Sequence, residues 1–227
     1  MAIGKRIYLN INRPSKELIE AFRGIPASNI GDMMGRLYNT NGTIKPLNDS
    51  PLLGCAFTVK CPMGDNLMFH RAMDLAQPGD ILVVDAQGGM ERSLAGEMMI
   101  NYAKSKGIAG FVVDGCMRDL DAIRDMTDFP VYCKGLTPQG PYKFGPGEIN
   151  VPVCIGGQVV LPGDILVGDA DGIVVMHPED AEKLVEVARK KFEGEQNTLA
   201  NYAKGITPKK HLSSYEELTS PEEYEYL

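Results

Sequence analysis

Two predominantly apolar runs in the middle of the chain constrain its fold more than any other feature. Residues 81–85 and 108–114 each form such a run, and each run ends in an aspartate. Apolar runs of this length are typical of parallel strands that are buried on both faces of a sheet. A helix is predicted between them over 93–106, with Gly107 as its stop signal, and a third strand over 130–133. This order predicts an α/β fold with parallel pairing and crossover helices.

One nine-residue segment occurs twice with a single difference. Residues 78–86 have the sequence PGDILVVDA, and residues 162–170 have the sequence PGDILVGDA. In both copies a Pro-Gly-Asp turn leads into a predicted buried strand that ends in an acid. We favour the interpretation that the same turn-and-strand sequence serves two separate places in the fold, with a local duplication as the alternative. A single long period does not indicate a solenoid.

The patterns on either side of this centre are weaker. Before the first apolar run we predict a helix over 15–22, a helix over 28–37 capped by Ser28, a loop over 39–54, a strand over 56–60 and a helix over 66–75. After the third strand we predict short strands over 151–155, 158–161, 165–167 and 173–176, with a hairpin turn at Asp171-Gly172. An amphipathic helix is predicted from Pro178 to about residue 192, and its continuation to 204 is left open.

No linker-like segment divides the chain, so we predict one α/β domain with a mixed sheet and flanking helices. We expect an N-terminal arm and helix over 1–24, the α/β domain itself over 25–190, and a C-terminal helix with an acidic tail over 191–227. The tail over 215–227 contains five glutamates, and we expect it to be loose or docked on a partner.

Composition excludes some classes of protein. Lys and Arg number 23 against 30 Asp and Glu, a net charge of −7, and no basic run exceeds three residues, so nucleic-acid binding is not expected. The five cysteines form no CxxC pair, which favours buried free thiols in a reducing compartment. The start has no stretch typical of a signal peptide, and no apolar run approaches membrane-spanning length. These patterns predict a cytoplasmic protein without a membrane partner.

The strongest candidate for a site lies where the two apolar runs end. In an open α/β sheet, ligands bind beyond the carboxyl ends of the strands, and here the segments 85–96 and 114–119 leave those ends. The first segment is Gly-rich and leads into a helix, whose free N–H groups and dipole favour an anion. The second presents Arg118, which can bind a carboxylate or enolate oxygen, and Asp119, which can hold a hard cation. Glu97, in the first turn of the helix, is expected near the same place.

A purely structural interpretation of these residues stays open. An Arg-Asp pair after a strand is common on protein surfaces, and Asp119 could instead cap the helix predicted over 121–126. His70 lies in a predicted helix, where packing is favoured over a role in a site. With only three histidines far apart in sequence, a His-rich zinc site is not expected.

Several motifs around these residues resemble the RraA-like family. They are residues 64–67 (GDNL), 78–85, 107–115 with the following Arg118-Asp119, and 145–153. The resemblance covers about residues 25–190. The family contains class II 4-hydroxy-4-methyl-2-oxoglutarate (HMG) aldolases, which also decarboxylate oxaloacetate, and the regulator of ribonuclease activity A. Many members carry an older label as demethylmenaquinone methyltransferases.

The aldolase branch of the family carries an acid, twenty intervening residues and then Arg-Asp. Here Glu97 and Arg118 are separated by the twenty residues 98–117, and Asp119 follows. The acid is Glu where the best-known aldolases have Asp. The resemblance implies a swivelling β/β/α fold that assembles as a homotrimer, or as a hexamer of two trimers, with active sites at subunit interfaces. It also implies that a C-terminal glutamate of a neighbouring subunit, matching Glu193 or Glu195, completes each site.

On this resemblance the leading hypothesis is a metal-dependent lyase that acts on pyruvate-type 2-oxo acids. Asp119 would hold Mg2+ or Mn2+, and Arg118 with the metal would stabilise a pyruvate enolate. Backbone N–H groups of Gly96, Glu97, Met98 and Met99 would hold the substrate carboxylate, and Glu97 would orient a water for proton transfer. Retro-aldol cleavage and oxaloacetate decarboxylation share this enolate.

Two alternatives to this hypothesis stay open. The first is a non-catalytic regulator that binds a ribonuclease or another protein through acidic surface. The second is a relative acting on a different 2-oxo or 2-hydroxy acid. Methyl transfer is the least expected activity, because no nucleotide-binding glycine motif follows the first apolar run.

Overall fold

The computed structural model describes residues 3–206. They fall into two compact units, of which the first ends at Arg189 and the second begins at Lys190. The acidic tail predicted over 215–227 lies outside the described residues. The first unit contains the sheet and every element discussed below except the second half of the last helix.

The described elements are ten strands and six helices. The strands are β1 (Lys45–Pro46), β2 (Leu52–Lys60), β3 (Asp80–Ala95), β4 (Gly110–Met117), β5 (Val131–Leu136), β6 (Glu148–Ile149), β7 (Val153–Ile155), β8 (Gln158–Val160), β9 (Ile165–Gly168) and β10 (Ile173–Met176). The helices are α1 (Lys16–Glu20), α2 (Ala27–Met33), α3 (Leu67–Leu75), α4 (Glu97–Ser105), α5 (Leu120–Arg124) and α6 (Pro178–Ala203).

The central sheet confirms the predicted α/β fold with a mixed sheet and flanking helices. Its order is β1-β5-β4-β3-β2-β9-β10, with β6 on β2, while β7 and β8 form a separate hairpin. Strands β2 to β5 pair in parallel, as the two apolar runs predicted. Strands β9 and β1 add antiparallel pairs on β2 and β5, which makes the sheet mixed.

Strand β3 is longer than its sequence predicts. The predicted Gly-rich loop after Asp85 and the helix start at residue 93 are both wrong, because the strand continues to Ala95. Its pairing with β4 shifts register after Asp85 and again after Gly89. Gln87 and Gly88 have positive φ values of 58° and 68°, so they form bulges that bend the strand without ending it.

The second helix is also placed differently from its prediction. Ser28 is not its cap: α2 begins at Ala27, whose N–H donates to Asp169 Oδ2 at 2.9 Å. It ends at Met33 before Gly35, which has a φ of +67°, a conformation that suits glycine. A side chain from a distant segment therefore caps this helix, and no local pattern signals such a cap.

Other boundaries differ by a few residues. Ser15 accepts from the Leu18 N–H as the cap of α1, and that helix ends at Glu20, two residues early. Strand β2 starts at Leu52, inside the predicted loop. The predicted helix over 66–75 and the hairpin turn at Asp171-Gly172 are confirmed, and the last helix takes the longer of its two predicted lengths.

The core follows the two faces of the sheet. Leu82 and Val84 belong to one buried cluster, which includes Phe69 and Phe111 under the helices. Ile81 and Val83 belong to the cluster on the opposite face, as the two-residue period of a strand requires. Four of the five predicted free cysteines are buried and Cys154 is exposed. Within residues 3–206, no helix has the length and apolarity needed to cross a membrane.

Candidate active site

The ends of β3 and β4 bring the predicted site residues together. Ala95 and Met117 are register partners at the carboxyl ends of these neighbouring strands. The next residue after β3 is Gly96, the N-cap of α4, and the next after β4 is Arg118. The Arg118 N–H donates to the Ala95 carbonyl at 3.1 Å. The turn after β4 therefore lies directly against the start of α4.

Asp119 binds the N-terminus of α4. Its Oδ2 accepts from the Glu97 N–H at 3.0 Å and lies 3.8 Å from Arg118 Nε. A Cβ added to Gly96 would overlap this carboxylate, so the close approach requires glycine at that position. Asp119 is also the N-cap residue of α5, but its side chain makes no cap hydrogen bond there. The alternative that this side chain caps the following helix is therefore wrong.

A cavity of about 190 Å³ lies between these elements. Five of the six predicted site residues line it: Gly96, Met98, Met99, Arg118 and Asp119. The sixth, Glu97, contributes its N–H to Asp119, but its exposed side chain is not part of the lining.

The four backbone N–H groups proposed to hold a carboxylate are not equally available. The Glu97 N–H is engaged by Asp119, and the Met99 N–H donates to the Gly96 carbonyl at 3.1 Å in the first helical turn. The N–H groups of Gly96 and Met98 remain as candidates at a helix N-terminus, where the dipole favours an anion.

Seven further residues line the cavity and were not assigned to it from the sequence, among them Asn66, His70 and Lys143. Asn66 and His70 come from the start of α3, and Lys143 comes from the segment before β6. The signal for Asn66 lies in the GDNL motif of residues 64–67, the motif that resembles the family. Asp65 and Asn66 are polar residues at a predicted helix start, and both are buried in the structure, which is a sign of a structural or binding role.

Asp65 fixes the segment that carries Lys143. Its Oδ2 accepts from the N–H groups of Phe144 at 2.6 Å and Gly145 at 3.0 Å. The Asn66 N–H donates to the Tyr142 carbonyl at 3.0 Å. These hydrogen bonds hold residues 142–145 against the start of α3, so the position of Lys143 beside the cavity is set by the backbone on both sides of it.

The charges around the cavity favour an anionic ligand. Arg118 and Lys143 are cationic, and Asp119 is the carboxylate among the lining residues. Burial, and then the charge of Lys143, lower the pKa of His70 below its usual value, which favours a neutral imidazole at neutral pH. A small acid with more than one oxygen group is the ligand that such a surface suits.

The cavity offers limited ligands for a metal ion. Within residues 3–206 no group of three or more His, Cys, Asp or Glu side chains is arranged to hold one. Asp119 Oδ2 is engaged by the Glu97 N–H, which leaves Oδ1 as a hard oxygen donor. Mg2+ commonly keeps several waters and binds through one or two carboxylates together with substrate oxygens. Asp119 therefore fits an ion that a substrate helps to hold.

Comparison with known proteins gives a consistent set of relatives. Residues 27–175 match the family model RraA-like, described as Aldolase/RraA. A protein of Halalkalibacterium halodurans named putative 4-hydroxy-4-methyl-2-oxoglutarate aldolase is 44% identical over 176 residues, which cover 77% of this chain and 83% of that protein. A protein of Ectopseudomonas mendocina with the same name is 40% identical over 122 residues, covering 54% and 74%.

Solved structures support the same fold. The crystal structure of Streptomyces coelicolor RraAS2, described as an unusual member of the RNase ES inhibitor RraA protein family, is 29% identical with a TM-score of 0.73 and covers 83% of this chain and all of that one. An uncharacterised protein from Pseudomonas syringae has a TM-score of 0.76 at 23% identity, over 87% and 97% of the two chains, and this likeness concerns the fold alone.

Proposed function

The chain belongs to the RraA-like family, and on this premise we propose that it is a lyase that cleaves a carbon–carbon bond in a pyruvate-type 2-oxo acid. The relatives named putative HMG aldolase support the lyase assignment. The observation that carries the proposal is that Arg118, Asp119 and the N-terminus of α4 line one small cavity. We propose HMG-type retro-aldol cleavage, oxaloacetate decarboxylation, or both.

Arg118 is the residue that stabilises the developing charge. Cleavage of either substrate leaves a pyruvate enolate, and a guanidinium beside the enolate oxygen lowers the energy of that state. The N–H groups of Gly96 and Met98 hold the substrate carboxylate at the helix N-terminus. Arg118 is half exposed, so its position depends on the substrate and on Asp119 beside it.

Asp119 is the proposed ligand of Mg2+ or Mn2+. Such an ion, when bound, polarises the 2-oxo group as a Lewis acid. Asp119 also holds the start of α4 through the Glu97 N–H, so it links the substrate carboxylate site to the metal site. Glu97, whose side chain is exposed beside the cavity, is the proposed residue that orients a water for proton transfer.

We further propose that the active form is a homotrimer, or a hexamer of two trimers, with the cavity at a subunit interface. Large apolar side chains beside the cavity support this arrangement: Met98 is 83% exposed and Phe144 is 81% exposed, and such side chains are commonly covered in an assembly. Glu193 or Glu195 of a neighbouring copy would complete the site. Light scattering with the purified full chain gives the oligomeric state directly.

The test is release of pyruvate from oxaloacetate and from HMG in the presence of Mg2+ or Mn2+. We expect activity that EDTA abolishes and that added metal restores. Arg118→Ala should reduce kcat/KM by about a hundredfold or more, as oxyanion-donor deletions do. Asp119→Asn should remove activity while an amide oxygen still caps α4.

Arg124→Ala is the matched control, because Arg124 is an exposed arginine on α5 outside the cavity and should retain full activity. Wild-type rates in both Arg118→Ala and Asp119→Asn would refute the proposed site. No pyruvate release by the wild type under either metal would refute the lyase.

A protein-binding regulator is the second candidate. It is favoured by the likeness to RraAS2, which is described as an unusual member of the RNase ES inhibitor RraA protein family, and by the net charge of −7, which suits a basic partner surface. Capture of a ribonuclease, together with no turnover under any metal, would favour this function over the lyase.

A further inference from the structure

Asn66 carries a buried oxygen that the protein does not satisfy. The residue is 2% exposed, and Oδ1 has no hydrogen-bond partner among the described residues. Its Nδ2 donates to the Leu94 carbonyl at 2.7 Å and lies 3.5 Å from Met99 Sδ. Turning the amide over would place its oxygen against the Leu94 carbonyl oxygen, so the Leu94 bond fixes which atom is left unpaired.

An unpaired buried amide oxygen is expensive, and this one belongs to a residue that lines a cavity. Leaving such an acceptor without a donor costs about 1–3 kcal/mol. Asn66 lines the same cavity as Arg118 and Asp119. Met99 lies against the Asn66 amide, and its three rotatable bonds allow it to move aside for a ligand. The unpaired oxygen is therefore suited to accept a hydrogen bond from whatever enters the cavity.

The surrounding charges indicate which ligand group supplies that donor. Arg118 and Lys143 attract carboxylates, but an ionised carboxylate has no proton to donate. The 2-oxo group is also only an acceptor. A hydroxyl group is the part of a small acid that can satisfy Asn66 Oδ1, and its presence distinguishes substrates for aldol cleavage from substrates that are only decarboxylated.

Resting on the lyase proposed above, we propose that Asn66 Oδ1 is a hydroxyl-recognising group that makes the cavity selective for 2-oxo acids with a hydroxyl on the carbon that is released. Asn66 binds this hydroxyl in the substrate complex and acts as a specificity-determining residue. Oxaloacetate, which lacks the hydroxyl, makes no such contact.

The decisive comparison is between two ligands and two proteins. Titration calorimetry with Mg2+ measures binding of HMG and of 4-methyl-2-oxoglutarate, which differs by the missing hydroxyl, at a temperature where turnover is slow. The wild type should bind the hydroxylated acid about tenfold more tightly, as expected for one well-placed hydrogen bond of about 1.4 kcal/mol. Asn66→Ala should bind the two acids equally.

Kinetics supply a second readout. Asn66→Ala should lower kcat/KM for HMG about tenfold relative to kcat/KM for oxaloacetate, whereas a merely structural role would lower both together. Asn48→Ala is the matched control: Asn48 is also a buried asparagine, but its amide is satisfied by the Ile123 and Phe129 carbonyls and by the Ser50 N–H. Its loss should leave the ratio of the two activities unchanged.

Each outcome decides between the two proposals. Turnover of both substrates with a ratio that Asn66→Ala does not change, and equal binding of the two acids by the wild type, overturn the role of Asn66 and leave the lyase intact. Absence of turnover in the wild type overturns the lyase, and the binding comparison then decides the role of Asn66 on its own.

Discussion

The two Pro-Gly-Asp segments, residues 78–86 and 162–170, fold alike but are held by different partners. They lie on opposite sides of β2, where Cys55 is the register partner of Asp80 on one side and of Ile165 on the other. The first copy runs parallel to β2 and the second runs antiparallel to it. The same nine-residue pattern therefore forms the same structure in two opposite strand contexts.

The local hydrogen bonds of the two turns match closely. Asp80 Oδ2 accepts from the Gln77 N–H at 2.8 Å, and Asp164 Oδ2 accepts from the Leu161 N–H at 2.7 Å. In each case the donor lies three residues before the aspartate. This repetition indicates that the turn is encoded within the segment and the residue just before it.

The acids at the strand ends match as well. Asp85 Oδ1 accepts from the Gln87 N–H at 2.9 Å, and Asp169 Oδ1 accepts from the Asp171 N–H at 3.0 Å. The second carboxylate oxygen of each acid accepts from a distant backbone N–H. Asp85 Oδ2 accepts from the Cys154 N–H, and Asp169 Oδ2 accepts from the Ala27 N–H. The nearby contacts are the same in both copies, and the distant ones join different parts of the fold.

The difference between the copies lies in the partner of the turn aspartate. Arg13 donates to Asp80 through Nε at 2.9 Å and Nη2 at 2.8 Å, whereas Asp164 Oδ1 lies 2.7 Å from His177 Nδ1. Both aspartates are almost fully buried. An arginine can only donate, while a neutral imidazole can donate or accept. Identical substitutions in the two copies should therefore have unequal effects.

Asp80→Asn is expected to have the largest effect. The new amide would turn its N–H2 group towards the donors of Arg13, whose side chain is only 23% exposed, and the ion pair would be lost. Breaking one partner of a buried pair costs about 3 kcal/mol or more. Urea denaturation of the variant and the wild type at pH 7 measures this loss. A smaller loss in the free energy of unfolding for Asp80→Asn than for Asp164→Asn would contradict this prediction.

The turn glycines give the next largest contrast. Gly79 and Gly163 have φ values of +92° and +96°, where an alanine is strained by about 1 kcal/mol or more. A Cβ at Gly79 would meet no atom within 4 Å, but one at Gly163 would overlap the Asn12 carbonyl oxygen. We therefore expect Gly163→Ala to cost about 1–2 kcal/mol more than Gly79→Ala in urea denaturation. Equal losses would show that Asn12 moves aside freely.

The contrast between local and distant contacts also explains what the sequence could predict about the fold. Turns and strands that depend on nearby residues, such as the Asp171-Gly172 hairpin and the parallel pairing of β4 with the first half of β3, were predicted correctly. The bulged half of β3 was missed because Gln87 and Gly88 are turn-forming residues that here lie within a strand. The start of α2 was missed because its cap comes from Asp169, far along the chain.

In the candidate site, too, residues placed by local pattern could be predicted and residues placed by distant contacts could not. Arg118 and Asp119 could be placed at a strand end from local pattern, because ligands bind where parallel strands end. Lys143 could not be placed, since its position depends on the hydrogen bonds from Asp65 to the backbone of residues 144 and 145. The environment of Asn66 could not be predicted either, because its unpaired oxygen is a property of the packed structure.

Asp164→Asn should be milder than Asp80→Asn. The new amide oxygen can accept from the Leu161 N–H, and its N–H2 group can donate to His177 Nδ1 when the imidazole takes the tautomer protonated at Nε2. We expect a loss of about 1 kcal/mol at pH 7, typical of replacing one hydrogen bond by a weaker one. Urea denaturation at pH 7 measures it. A loss of about 3 kcal/mol would mean that the pair behaves as a fixed ion pair, like that of Asp80.

The smallest expected effect is the pH dependence of that substitution. Burial raises the pKa of Asp164 above its usual value of 3.8. The stability that this carboxyl contributes is therefore fully present below the pKa of the unfolded chain and is lost as the pH rises through the higher folded pKa. The cost of Asp164→Asn should therefore be largest near pH 4 and smaller at pH 7.

The measurement is the difference in the free energy of unfolding between the wild type and Asp164→Asn at pH 4, 5, 6 and 7. Gly79→Ala is the control, because it changes no titratable group and its cost should be the same at every pH. A cost of Asp164→Asn that grows as the pH rises would contradict the prediction. It would mean that the charge of His177 stabilises the Asp164 carboxylate by more than burial destabilises it, so that the second copy would be held by an ion pair as the first is by Arg13.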